Sequence, residues 1–185
     1  MSRTAFSIAL LICFAVFTDV AKAQIGLEKI KIVVEDGDKF GVPSRVLVEE
    51  IARRTGIEWP VVERASEIGS VVFRTAETTD KTGDEGFRIS TETGGPPRIT
   101  IAASGRRGAL FGVGYLLRQI EWGRGHISLS KPVNTVEVPK YAIRGHQLGY
   151  RAQANSYDAW DVRTFDQYIR ELGFFGNNCI ENIPF

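Results

Sequence analysis

Along Leu27–Glu35 hydrophobic and polar positions alternate with period two, Ile30, Ile32 and Val34 on one face and Lys29, Lys31 and Val33 on the other. That period predicts a strand. Gly37 and Gly41 predict a turn. Pro43 suits the first turn of a helix, where its missing N–H costs nothing. Leu47, Val48, Ile51 and Ala52 mark the apolar face of that helix, and Gly56 its C-cap. Three short alternating runs follow: Val71, Phe73 and Thr75; Phe87, Ile89 and Thr91; Ile99, Ile101 and Ala103. The cluster Thr93-Gly94-Gly95-Pro96-Pro97 is a hairpin-type connection between the last two, and Thr78–Gly86 reads as a polar loop. Leu110, Val113, Leu117 and Ile120 are spaced by three and four, which predicts a second helix from about Arg106 to Trp122. Gly108 and Gly112 share a face of it, and Gly114 lies close by. An interior helical glycine costs about 1 kcal/mol, so close approach of this helix to the sheet is the expected compensation. The order strand, helix, strands, helix predicts an α+β layer domain, a small sheet with helices packed on it.

Lys131–Lys140 (KPVNTVEVPK) brackets a short extended piece with prolines and reads as a connector, placing a domain boundary near Lys140. Beyond it Tyr141–Phe185 reads as strand, loop, helix and strand. Asp161 is the expected N-cap. Phe165, Tyr168, Ile169, Leu172 and Phe175 fall at i, i+3, i+4, i+7 and i+10, the strongest helical period in the chain, and Gly176 ends it. Such a unit predicts a second strand parallel to the first, the first β-α-β of a TIM (β/α)8 barrel. A whole barrel takes roughly 250 residues, so 141–185 is expected to be a truncated start of one. Its third helix is expected to have little to pack on, its strands to leave open edges, and proteolysis to cut within Lys131–Lys140.

The N-terminus changes the picture of where the protein works. Arg3, the apolar run Ser7–Phe17 and Ala21-Lys22-Ala23 have the layout of a cleavable export signal over 1–23. The apolar run is too short to span a bilayer at about 20 residues. An exported protein, periplasmic or extracellular, with no membrane span after signal removal is expected. Cys13 lies in the signal, which leaves Cys179 without a cysteine partner and excludes an internal disulfide framework. The net charge of +1 is spread along the chain, which argues against a nucleic-acid partner. His126 and His146 are the two histidines, and neither H-E-x-x-H nor G-x-S-x-G occurs. No cofactor and no metal are expected.

Glu85-Gly86-Phe87-Arg88-Ile89, the strand Ile99–Ala103, and Gly108, Phe111-Gly112, Leu116 and Gln119-Ile120 together resemble the N-terminal accessory domain of family 20 β-N-acetylhexosaminidases and family 67 α-glucuronidases. The domain that they resemble is zincin-like in shape, with no zinc implied. Pro139–Gly145 (PKYAIRG) resembles the proline connector and "R-G" strand that open the barrel in these enzymes. The resemblance implies signal 1–23, accessory domain 24–130, linker 131–140 and barrel start 141–185. It also implies a parent glycoside hydrolase acting on O-glycosidic bonds of oligo- or polysaccharides. The family's catalytic Asp-Glu pair belongs after the fourth barrel strand, so 141–185 is expected to carry no catalytic residue and to be inactive alone. The chain departs from the hexosaminidase pattern at Gly149 and Glu181, where an aspartate and a histidine are usual. The resemblance therefore implies a carbohydrate-active relative, hexosaminidase- or glucuronidase-like, without fixing hexosaminidase specificity. A secreted, non-catalytic carbohydrate-binding or interaction module derived from such an enzyme is the alternative.

Under this resemblance Arg144 is a candidate sugar-binding residue, with a structural ion pair as the competing reading. Function in a barrel gathers at the C-terminal ends of its strands. That adds Gln147, Tyr150, Arg151, Glu181 and Asn182 as candidate substrate contacts. Tyr150 and Trp160 have rings suited to stacking on a sugar, with ordinary packing favoured for Trp160. Carbohydrate and the rest of its own barrel are the expected partners.

Overall fold

The computed structural model describes residues 24–64, 67–148 and 160–182. The expected signal, Tyr150 and Arg151 lie outside the described residues. The chain runs β1 (Ile25–Gly26), β2 (Lys31–Val34), α1 (Gly37–Thr55), β3 (Val61–Val62), β4 (Ser70–Thr75), β5 (Phe87–Glu92), β6 (Arg98–Ala103), α2 (Arg106–Gln119), β7 (Ile120–Gly123), β8 (His126–Leu129), β9 (Thr135–Glu137), β10 (Gly145–Leu148), α3 (Val162–Phe174) and β11 (Cys179–Asn182).

Six strands form one sheet in the order β3-β2-β4-β6-β5-β9. β2, β3, β4 and β6 run parallel, and β5 returns antiparallel. The register places Ile32, Val71 and Ile99 side by side, and likewise Phe73, Ile101 and Ile89. This is one apolar face, as the period-two runs predicted, and every one of these side chains is buried. Phe40, Leu47 and Ile51 of α1 and Ala109, Val113 and Leu116 of α2 join the same core. On the other face Arg74 and Arg88 flank Ala102 and both pair with Asp80, at 3.3 and 2.7 Å. The stretch expected to be a polar loop therefore carries a 3-10 turn, Thr78–Asp80, pinned to the sheet.

Several boundaries differ from the sequence reading. α1 begins at Gly37, so Gly37 and Gly41 are helical and Pro43 is interior. The start signal is Asp36, whose carboxylate accepts the Lys39 N–H at 3.0 Å, an N-cap stronger than the proline cue. α2 ends at Gln119 rather than Trp122. Residues Ile120–Leu129 instead form the hairpin β7–β8, which turns through Gly125 at φ 71°. β1 pairs with β8 to complete a three-stranded sheet. The expected connector is not a free linker, because its β9 pairs antiparallel with β5. Asn134 and Val133 reinforce that edge by hydrogen bonds with Thr91.

β10 and β11 are parallel and form a sheet of their own, as expected for the opening unit of a barrel. Asp161 caps α3 by accepting the Thr164 N–H at 2.7 Å. At its end Gly176 takes φ 83°, with Gly176 N–H bonded to Gly173 O and Asn177 N–H to Leu172 O, both 3.0 Å. This is a Schellman close. The expectation that α3 has little to pack on is corrected, because α3 lies against α2. A Cβ on Gly114 would strike the backbone of Phe174, so the two helices meet there at backbone distance. Gly108 and Gly112 face the sheet instead, against Gly86, Ala103, Ile101 and Phe87, as their shared face predicted. Phe174 is buried at the junction, whereas Ile169 and Phe175 of the predicted stripe are 53% and 67% exposed. Arg54–Glu171 at 3.1 Å and Arg170–Glu49 at 2.6 Å tie α3 to α1. Among the described residues no helix is long and apolar enough to cross a membrane.

Candidate functional site

Strand alternation decides which side chains of the C-terminal unit face away from the helix. Gln147 pairs with Glu181, and His146 with Ile180. His146 turns toward α3: its ring meets Tyr168 edge-on at 5.8 Å, and its Nδ1 shares a hydrogen bond with the Tyr168 hydroxyl. Neighbouring residues on a strand point to opposite faces. Gln147 and Glu181 therefore stand together on the face away from α3, toward the C-terminal ends of their strands, and both are exposed. Asn182 pairs with Leu148 one step further on. Trp160 packs edge-on against Phe165 and Tyr168 at 5.3 and 5.1 Å, the ordinary packing favoured for it.

Arg144 lies at the opposite end, immediately before β10. Its Nη2 donates to Glu85 Oε2 at 2.7 Å, its Nε to Gly176 O at 2.8 Å, and its Nη1 to Tyr141 O. The guanidinium also covers the Phe111 ring at 5.4 Å. Arg144 thus forms an ion pair with Glu85, at the start of its strand, whereas barrels place function at the strands' C-terminal ends. Glu85 was not singled out in the sequence. It sat in a polar loop, and its only signal was its place before Gly86-Phe87 in the accessory-domain pattern. The two halves of that resemblance, Glu85-Gly86 and Arg144-Gly145, meet in space.

Glu85 also accepts from Asn178 Nδ2 at 3.0 Å and pairs with Arg107 at 2.8 Å. The hydrogen bond from Arg144, aided by Asn178 and Arg107, outweighs its burial and holds its carboxyl below the usual glutamate range. A depressed carboxylate stabilises the fold above its unfolded pKa, and the contribution is lost as pH falls through the lowered value. The bridge should thus stay intact from neutral pH down to about 4.3 and open only below that. The Asn178 side-chain amide resonances, followed by NMR from pH 7 downward, should hold their positions and then move. Movement already complete at pH 5 would contradict the assignment.

No family model matches the sequence, and no curated protein matches it. Solved structures do. The fold is similar to a GH20 exo-β-N-acetylglucosaminidase from Vibrio harveyi in complex with N-acetylglucosamine, at TM-score 0.67 and 13% identity over 86% of this chain and 23% of that one. It is similar to a GH20 β-N-acetylhexosaminidase from Streptomyces coelicolor A3(2), at TM-score 0.59 and 20% identity over 86% and 31%. A β-N-acetylhexosaminidase from Bacteroides fragilis gives TM-score 0.61 and 21% identity over 88% and 30%. The chain thus spans less than a third of the length of each of these enzymes. At such identities the likeness establishes the fold: a mixed α/β arrangement with a multi-stranded sheet and helices, followed by a βα unit, as found in these glycoside hydrolases.

Proposed function

We propose that this chain is the N-terminal part of an exported glycoside hydrolase that cleaves O-glycosidic bonds, with an accessory domain that runs from 24 through β9 and 141–185 opening the catalytic barrel. The observation that carries this reading is the paired placement of Gln147 and Glu181, away from α3 and toward the C-terminal strand ends. A barrel keeps its helices outside and its reactive groups at that end. The amide of Gln147 donates and accepts, and the carboxylate of Glu181 accepts. Side by side they suit the adjacent hydroxyls of a sugar ring. Asn182, Tyr150 and Arg151 are proposed to extend this contact surface, with Arg144 left to its bridge. These residues bind and orient. The carboxyl groups that hydrolysis requires, two flanking the bond or one with the substrate's own acetamido group, are assigned to other barrel strands, so the 185-residue chain is expected to bind sugar weakly and to hydrolyse none. The structural neighbours favour an N-acetylhexosaminide as first choice of ligand, and the sequence resemblance to family 67 leaves a glucuronide as second.

The test is an NMR titration of the chain with N-acetylglucosamine and, separately, glucuronic acid. Backbone shifts should concentrate at Gln147, Leu148, Glu181 and Asn182. Glu181→Ala should weaken the response about tenfold or more, as expected for losing a hydrogen bond to a charged group. Shifts confined to the six-stranded sheet, or none with either sugar, would remove the reading.

A further inference from the structure

We propose that Glu85, a residue of the accessory domain, sets the register of β10 against β11 and thereby positions Gln147 and Glu181. Its carboxylate reaches the residue directly before each strand: Arg144 before β10 at 2.7 Å and Asn178 before β11 at 3.0 Å. Those two residues are also bonded to each other. Asn178 Oδ1 accepts the Arg144 backbone N–H at 3.0 Å. Arg144 O accepts the backbone N–H groups of Asn178 and Cys179 at 2.7 and 3.2 Å. Asn178 Nδ2 further donates to Ala142 O at 2.8 Å. Arg107 of α2 holds Glu85 from the accessory side.

The spacing turns this contact into a register device. Arg144 and Asn178 each precede by three residues the side chains that face one another, Gln147 and Glu181. At about 3.3 Å per residue the latch lies roughly 10 Å from them. A slip of one residue sends every side chain of a strand to the other face, and a two-stranded pair has little stability of its own to resist it. Glu85 and Arg144 are largely buried, at 15% and 18% side-chain exposure, so solvent screens this pair less than a surface one. The importance of the two positioned side chains rests on the proposed sugar contact. The control of register does not.

The experiment uses the full chain. Amide exchange and cross-strand NOEs are followed at Gly145–Leu148 and Cys179–Asn182, with Ile99–Ala103 as the internal reference. Glu85→Gln should speed exchange in both strands about tenfold and weaken the NOEs between Gln147 and Glu181, leaving the reference unchanged. Arg144→Gln should do the same, and the double variant should go no further than either single one. Arg107→Gln, an exposed partner, should change exchange less than about threefold. Unchanged exchange in β10 and β11, or equal acceleration of the reference strand in both single variants, would overturn the proposal. Should N-acetylglucosamine shift nothing in the wild-type chain while the exchange response persists, the sugar reading falls and the register role stands.

Discussion

Replacing Gly114 with alanine is expected to lift α3 off α2 and loosen the whole C-terminal unit. The added Cβ would fall on the Cα, carbonyl carbon and oxygen of Phe174. These are backbone atoms, which cannot swing aside as a side-chain tip would. The helices must separate, exposing Phe174, whose burial is worth about 1.5–3 kcal/mol. The hydrogen bond from Arg118 to Phe174 O and the Arg54–Glu171 and Arg170–Glu49 pairs would stretch with it. The sign is the informative part. Within an isolated helix the same change is favourable by about 1 kcal/mol, so α2 itself should not suffer. Amide exchange should therefore rise in α3, β10 and β11 and stay level or fall in α2. A uniform gain in stability across the chain would show that the close helix contact does not exist.

Trp59→Ala should be the most damaging single change to the core around the six-stranded sheet. Trp59 is fully buried, and its indole N–H donates to Leu27 O at 3.0 Å. The indole thereby clamps the segment after α1 to the one before β2. Large-to-small changes of this kind cost about 3–5 kcal/mol, a large part of a typical total of about 5–15 kcal/mol. Trp59→Phe, which keeps an aromatic ring and loses the donor, should cost nearer 1–3 kcal/mol. Urea unfolding followed by circular dichroism measures both, and a loss below about 1 kcal/mol for the alanine variant would contradict the packing described.

These two residues mark the limits of what local pattern reveals. Period-two runs located β2, β4, β5 and β6, because each lays one face on the core. Helical spacing located α3, and Gly176 its close. Trp59 belongs to no periodic run, so its burial could not be read from its neighbours. Gly114 stands out as an oddity inside a helix, but the sequence points to the sheet as its neighbour, whereas the partner is α3, far along the chain. Pro43 suggests too late a start for α1, because Asp36 already supplies the cap. Ile120 continues the apolar spacing of α2, so the start of β7 at that residue does not show in the pattern. Arg144 stands out in the sequence through Pro139–Gly145, and its pairing with Glu85 shows only in the tertiary structure. Glu85 needed the tertiary structure, since its three partners come from α2, the entry to β10 and the entry to β11.

β9 carries a practical consequence for chimeras. The strand that closes the edge of the six-stranded sheet is encoded after the point where composition alone would end that domain. A transplant cut at Ser130 would leave Thr91 without Val133 and Asn134 and strip β5 of its outer neighbour. The workable junction lies between Glu137 and Tyr141, and the donor front end must bring an acid at position 85 to meet the arginine that precedes β10.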